Sequence, residues 1–249
     1  MKLPAKFAAM FAAALLLASC GDDGGNGPST GSSEAGSSCS ATRSSSAVMP
    51  DSAAKCGSDS TFVDARDDRR YRCVTIGTQT WMAENLDYEY EIDGSSYGNW
   101  CYNDSAENCA RYGRLYTWAA AMDTLATGCG KGHLCGLSGK VRGICPEGWH
   151  LPSWFEWSDL FDMVDEFVSR LKSKEGWTNG NGTDDFGFSV LPSGARWDGG
   201  FADIGEEASF WTTKEYDDGY AYRKDVNLGD GEYGYISKSA AIAVRCVKD

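Results

Sequence analysis

Residues 145–157, CPEGWHLPSWFEW, constrain the fold more than any other stretch. They hold a cysteine, a short apolar run and a helix start in direct succession. Trp149 to Leu151 reads as a strand, which Pro152 closes by locking φ and removing a backbone donor. Ser153, with Glu156 three residues on, makes an S-x-x-E capping box, in which hydroxyl and carboxylate each accept one orphan amide of the first helical turn. Trp157, Leu160, Phe161, Val164, Phe167, Val168 and Leu171 then recur at spacings of three and four. That pattern predicts a helix from Ser153 to about Lys172 with one face on a core.

The other elements are short. Thr61–Val63 and Tyr71–Ile76 read as a hairpin around the polar Ala65–Arg69, followed by a strand over Thr80–Ala83. Leu115–Leu125 is Ala-rich and free of breakers, and predicts the other helix. After Gly176 the pattern turns to strands: Phe186–Leu191, Ser209–Thr213, Ala221–Asn227, Tyr233–Ile236 and Ala240–Val247. Helices followed by strands, with a strand pair in front, imply an α+β domain of two helices and short, mostly antiparallel strands. The last strand is expected beside the opening hairpin, bringing the domain's ends together.

Composition limits the partners. Of 249 residues, 36 are Asp or Glu against 23 Lys or Arg, a net charge of −13. Nucleic acid is excluded as a partner, because phosphate binding needs a basic face. Ten cysteines in a chain of this size indicate an oxidising compartment.

The N-terminus gives an address. Lys2 and Lys6 precede an apolar run from Phe7 to Ala18, too short to span a bilayer as a permanent helix. Leu17-Ala18-Ser19-Cys20 resembles the lipobox of bacterial lipoproteins. That likeness implies a signal peptide over 1–19 and a lipid-modified Cys20, with the membrane met through the anchor alone. Gly21-Asp22-Asp23 is similar to the acidic surface-export signals of some Bacteroidetes-like lipoproteins, which points to the outer membrane and the cell surface. Residues 20–60 are Gly, Ser, Ala and Asp with almost no apolar side chains, and cannot repay the entropy of ordering. They read as a tether of roughly forty residues with a reach on the order of 30–40 Å, leaving 61–249 as the folded domain.

Several phrases stand out along the chain: Trp81-Met82-Ala83-Glu84-Asn85-Leu86, Tyr112-Gly113-Arg114-Leu115-Tyr116-Thr117-Trp118, Cys145 to Ser153, Leu191-Pro192-Ser193-Gly194, Phe210-Trp211-Thr212-Thr213 and Val244-Arg245-Cys246. Together they resemble the Fibrobacter succinogenes major paralogous domain, over about Phe62 to Asp249. The resemblance implies a secreted or lipid-anchored bacterial protein with no established activity and a C-type-lectin-like fold. Formylglycine-generating enzymes share that fold, and their Arg-Leu-Pro-x-x-x-Glu-Trp phrase is similar to His150-Leu151-Pro152 through Glu156-Trp157.

Nine cysteines remain once Cys20 is set aside. Cys101 with Cys109 and Cys129 with Cys135 are natural local pairs. Cys145 and Cys246 resemble the long-range bridge that ties a helix region to the C-terminal strand in lectin-like folds. Cys56 with Cys73 is the leftover pair; Cys39 is free, paired with Cys56 or intermolecular. The rival reading is a metal at Cys129-x3-His133-x-Cys135, but the second ligand pair of a zinc site is missing. His150 lies in an apolar phrase and reads as a core histidine.

Two features suit binding. Asn179-Gly180-Asn181-Gly182-Thr183-Asp184-Asp185 is rich in the oxygen ligands that Ca²⁺ takes, with a solvated loop as the alternative. Trp197, Trp211, Tyr216, Tyr220, Tyr222, Tyr233 and Tyr235 crowd the C-terminal third. Strand alternation sends about half of such residues outward, so Tyr220, Tyr222, Tyr233 or Tyr235 is a candidate carbohydrate contact, flanked by Asp217, Asp218, Asp225 and Asp230. The expected function is a non-catalytic adhesion module for polysaccharide or envelope partners, with no cofactor. The alternatives are a structural envelope protein without a ligand, and, more distantly, a formylglycine-generating-enzyme-like catalyst.

Cys20→Ala should abolish incorporation of labelled fatty acid and move the protein to the soluble fraction. Equal labelling of wild type and variant would remove the lipoprotein assignment.

Overall fold

A computed structural model describes residues 60–165, 167–227 and 233–249. The expectations for Cys20, for the 20–60 tether apart from Ser60, and for Cys39 and Cys56 lie outside the described residues. The opening hairpin is β1 (Thr61–Asp64) and β2 (Arg69–Ile76), in antiparallel register from Thr61↔Arg72 to Asp64↔Arg69. β3 (Gln79–Met82) folds back on β2. A small hairpin of β4 (Glu91–Ile92) and β5 (Ser95–Ser96) leads to β6 (Asn99–Trp100) and α1 (Ala106–Tyr112). Then come β7 (Leu115–Thr117), the one-turn helices α2 (Trp118–Ala121) and α3 (Thr124–Thr127), β8 (Trp149–His150) and α4 (Trp154–Asp162). Strands finish the chain: β9 (Ser193–Trp197), β10 (Gly200–Ile204), β11 (Ala208–Glu215), β12 (Tyr220–Val226), β13 (Tyr233–Ser237), β14 (Ala241–Ala243) and β15 (Val247–Lys248).

The result is α+β and mostly sheet. One sheet has the order β1-β2-β3-β15-β8, and the larger one runs β10-β9-β14-β11-β12-β13 with β7 and β6 added beside β14. The closing strand joins the sheet of the opening hairpin, with β3 between them.

The capping box forms as the sequence requires. Ser153 Oγ accepts from the Glu156 amide at 3.2 Å, and Glu156 Oε2 accepts from the Ser153 amide at 2.8 Å. The helix is shorter than its periodicity predicts. It ends at Asp162, and Asp165 at φ 55° breaks the helical path. Val164, Val168 and Leu171 are still buried, but turns and a 3-10 segment over Val168–Arg170 bring them there, and Phe167 is exposed. The apolar spacing recorded which residues face the core, and a mid-segment break preserved most of that.

Leu115–Leu125 is also corrected. Its first three residues are β7, paired with β14 from Ala241↔Thr117 to Ala243↔Leu115, and Asp123 in the left-handed region separates α2 from α3. Sheet pairing overrides the helix propensity of the alanines. Phe186–Leu191 forms only the bridge Lys172↔Val190, because Ser189 sits at φ 55° with its amide and hydroxyl both donating to Asp184. Ala240–Val247 divides between two sheets as β14 and β15.

The phrases that carry the family resemblance meet inside. Trp118 Nε1 donates to Thr212 O at 3.1 Å, and Trp211 Nε1 donates to Tyr116 O at 2.6 Å, so two phrases exchange indole bonds. Tyr116 Oη takes the Tyr88 amide at 3.0 Å and donates to Tyr88 O at 2.8 Å. Gly113 caps α1 at φ 75°, where a Cβ would lie 2.7 Å from Asn85 Cβ and 2.8 Å from Leu86 O. Gly194, at φ 64°, would put a Cβ 2.4 Å from Ala202 O. Both glycines mark backbone approaches that no side chain fits.

The described disulfides Cys101–Cys109, Cys129–Cys135 and Cys145–Cys246 match the expected pairs, with Cα separations of 4.9, 5.2 and 5.9 Å. Cys73 is disulfide-bonded, and its expected pairing with Cys56 lies outside the described residues. The Cys145–Cys246 bridge spans 101 residues. On the chain-entropy view its loss, as Cys145→Ser with Cys246→Ser, should cost about 4–5 kcal/mol. Denaturant unfolding of wild type and double variant measures this; an unchanged midpoint would mean the noncovalent contacts of the last strand suffice.

Candidate functional site

The C-terminal aromatics assemble on the outer side of β11, β12 and β13. Tyr220 and Tyr222 are two apart on β12 and share a face, while Ala221 between them is buried. Tyr235 of β13 is the direct cross-strand partner of Tyr222. Between β11 and β12 the chain turns through Asp217, whose Oδ1 accepts from the Gly219 and Tyr220 amides, both at 2.8 Å. That turn lays the Tyr216 ring on Tyr235, with centroids 3.9 Å apart and planes 3° from parallel. Tyr220 stands edge-on to Tyr235 at 5.9 Å, and Tyr222 edge-on to Tyr216 at 5.8 Å. Trp154, the first residue of α4, extends the cluster, edge-on to Tyr222 at 5.1 Å.

The cluster is open to solvent. Tyr216, Tyr220 and Tyr235 are 50%, 44% and 51% exposed, against less than 1% for Trp211 in the core. Two cations adjoin it: Lys214 Nζ lies 4.5 Å from the Tyr222 ring centre and 5.2 Å from that of Trp154, and buried Lys224 Nζ lies 4.1 Å from the Trp154 ring centre. The neighbouring Tyr235 phenol pushes the Tyr216 phenol above its ordinary value. At the end of β11, buried Lys238 pairs with Glu215 Oε1 at 2.6 Å, and the Glu215 carboxylate also accepts from the Cys135 and Gly136 amides. A buried pair with its remaining acceptors filled holds the end of β11 to the Cys129–Cys135 loop.

The expected carboxylate flank is corrected at Asp225. Asp225 is buried, accepting from Ser209 Oγ at 2.6 Å and pairing with Arg223 at 3.1 Å; alternation along β12 turns it away from Tyr222. Asp217 is spent on its turn, Asp218 is exposed with its carbonyl accepting from Gly132 N, and Asp230 lies outside the described residues, as does the Tyr233 side chain. Trp197 is half-buried, with Nε1 donating to Asp203. Trp154 and Lys214 were missed by sequence reasoning. Their signal was positional: Trp154 follows the N-cap directly, on the exposed first turn of a helix.

In the 179–185 loop several oxygens are taken by protein donors. Asn181 Oδ1 accepts from the Trp177 amide, Asp184 from Ser189, Asp185 from Arg170, and Gly180 O from Lys172. Among the described residues no three His, Cys, Asp or Glu side chains gather to hold a metal. Cys129 and Cys135 are bonded to each other, and His133 Nε2 faces Gly128 O. Also among the described residues, no helix is long and apolar enough to cross a membrane.

A family model for the Fibrobacter succinogenes major domain matches residues 74–248, well over half of the chain. The chain belongs to the Fibrobacter succinogenes major domain family. Neither the curated proteins nor the solved structures contain a match. The exposed rings lie within the matched residues but outside all of the phrases that carry the resemblance.

His150 of the Cys145–Ser153 phrase is buried, with Nδ1 2.7 Å from Asp249 Oδ1 and Nε2 2.8 Å from Glu156 Oε1. Burial alone would push the Glu156 carboxyl up, but hydrogen bonds from His150 and Ser153 outweigh it and hold the group at about 2. A carboxyl lowered from 4.5 to about 2 by folding stabilises the protein above its unfolded value, and the contribution is lost as pH falls through that window. Glu156→Gln keeps an acceptor for the capping box. It should melt below the wild type at pH 6 and converge with it near pH 2; a gap that persists in acid would assign the effect to packing.

Proposed function

We propose that this domain is a non-catalytic binding module, carried on a lipid anchor at Cys20 on the outer face of the outer membrane, and that the Tyr216–Tyr220–Tyr222–Tyr235 face with Trp154 contacts polysaccharide. The observation that carries the reading is four tyrosines brought together by a turn and a cross-strand pair, three of them about half exposed. A buried cluster would serve packing. An exposed and mutually braced one serves contact, because rings offer large area with few rotamers to freeze.

The architecture supports a C-type-lectin-like reading. A long-range disulfide joins the segment before α4 to the last strands, and the domain's two ends lie in one sheet. In such a scaffold the later strands and loops are free to carry recognition. The net charge of −13 disfavours acidic chains, and Lys214 is a local hydrogen-bond donor to the hydroxyls of neutral ones. Envelope proteins are the other class of partner that an aromatic face suits. A structural role without any ligand is the reading that the experiment must defeat.

Tyr220→Ala with Tyr222→Ala, and separately Tyr216→Ala with Tyr235→Ala, should each reduce retention on cellulose or xylan about tenfold or more, the equivalent of 1.4 kcal/mol. Thermal midpoints, recorded alongside, should move by only a few degrees, since these rings lie outside the core. A wild type that is retained on neither polymer, with variants that melt earlier, means the tyrosines are structural and the adhesion reading is wrong.

A further inference from the structure

The interior holds a charge that its surroundings do not neutralise. Arg245 is 1% exposed and has no ion pair among the described residues. Its Nε donates to Asn85 Oδ1 at 2.8 Å, its Nη1 to Phe188 O and its Nη2 to Ser189 O at 3.1 Å. A guanidinium has five N–H groups, so one on each terminal nitrogen has no acceptor among the described residues. Asn85 is held for its part by donating Nδ2 to Tyr112 O at 2.8 Å. Burial pushes the Arg245 pKa down to about 9; the charge of Arg72 adds to this, while Glu84 and Asp184 oppose it.

Arg245 lines a cleft of about 330 Å³ bounded by β2, Glu84-Asn85, the end of α1 and the Ser173–Glu175 turn. That volume falls in the range of small-molecule sites, roughly 300–1,000 Å³. The lining carries six cationic side chains against three carboxylates, inside a chain of net charge −13; of the six, Arg72 is paired with Glu84 and Arg69 with Asp87. Two of the three carboxylates are engaged: Glu84 with Arg72 at 3.2 Å, and Asp184 with the amide and hydroxyl of Ser189. Arg111 and Lys174 are exposed on the rim, with no ion pair among the described residues.

We infer that this cleft binds a small anionic ligand, of about sugar size, through a carboxylate or phosphate directed at Arg245 and met at the rim by Arg111 and Lys174. A guanidinium fork matches either oxyanion in bidentate fashion. A buried unpaired charge is costly, and an incoming anion removes that cost. The cleft shares no residue with the aromatic face, so either assignment can fail without the other.

Titration calorimetry on the folded domain with glucuronate, glucose 6-phosphate, inorganic phosphate and neutral glucose tests this. Binding of glucuronate but neither phosphate assigns a carboxylate ligand; binding of the phosphates assigns a phosphate ligand; glucose should not bind. Arg245→Met is at risk of not folding, so the deciding variant is Arg111→Ala with Lys174→Ala on the exposed rim. It should bind the successful anion about tenfold more weakly at an unchanged melting temperature, as loss of a charge-assisted bond requires. No heat of binding from any anion at millimolar concentration overturns the proposal. So does binding that the rim variant leaves unchanged, because the anion then sits elsewhere.

Discussion

The segment from Ala241 to Asp249 belongs to both sheets, and the rest of the structure hangs on that fact. β14 lies parallel to β11 at Phe210↔Ala243 and antiparallel to β7 and β9. Three residues later β15 pairs with β3 at Val247↔Trp81 and with β8 at Val247↔His150. The residues between are used in turn: Val244 O and Cys246 O accept from the Leu86 and Met82 amides, Arg245 reaches Phe188, Ser189 and Asn85, and Cys246 is bonded to Cys145. A closure this distant in sequence is costly in entropy, and a disulfide across it limits how far the unfolded chain can lose it.

This closure explains which parts of the sequence were legible. Phrases such as Trp81–Leu86, Tyr112–Trp118 and Val244–Cys246, which carry the family resemblance, meet each other through specific backbone and side-chain bonds. Ser153 and Glu156 specify a local structure by themselves, and the helix start was legible to the residue. Its end was not, because Val164, Val168 and Leu171 are buried by a broken path as well as by a helix, and apolar spacing alone does not separate the two. Leu115–Thr117 became a strand because β14 and β6 were there to pair with, which no local pattern contains. The β9–β10 hairpin did carry a signal: Asp198 and Gly199 both have positive φ, as a type I′ turn requires of an Asp-Gly pair, and this is the strongest short-range hairpin mark.

The candidate site follows the same division. Alternation along β12 was enough to pair Tyr220 with Tyr222 and to set them on one face. It was also enough to exclude Asp225 from that face, since 222 and 225 differ in parity, and the expected carboxylate flank failed on that point. The contribution of Trp154 depends on where α4 crosses β12, and that of Tyr216 on an aspartate-stabilised turn. Both are tertiary. Phrases that identify the family are therefore informative about the scaffold, while the exposed chemistry sits in stretches between them.

The scaffold also sets how a ligand would be met on the aromatic face. Tyr216 is pinned by its turn, Tyr222 by its partner Tyr235, and the end of β11 by the Lys238–Glu215 pair, so little side-chain freedom remains to be lost on contact. Preorganisation of this kind lowers the entropic cost of association. It also limits the gain, because rings already packed on one another at 3.9 Å and at 5.8–5.9 Å have spent part of their area on themselves. Single contacts on such a face are weak. If the face binds as proposed, repeated contact along a polymer or among many copies on one surface would make the second engagement intramolecular, so that effective concentration replaces affinity.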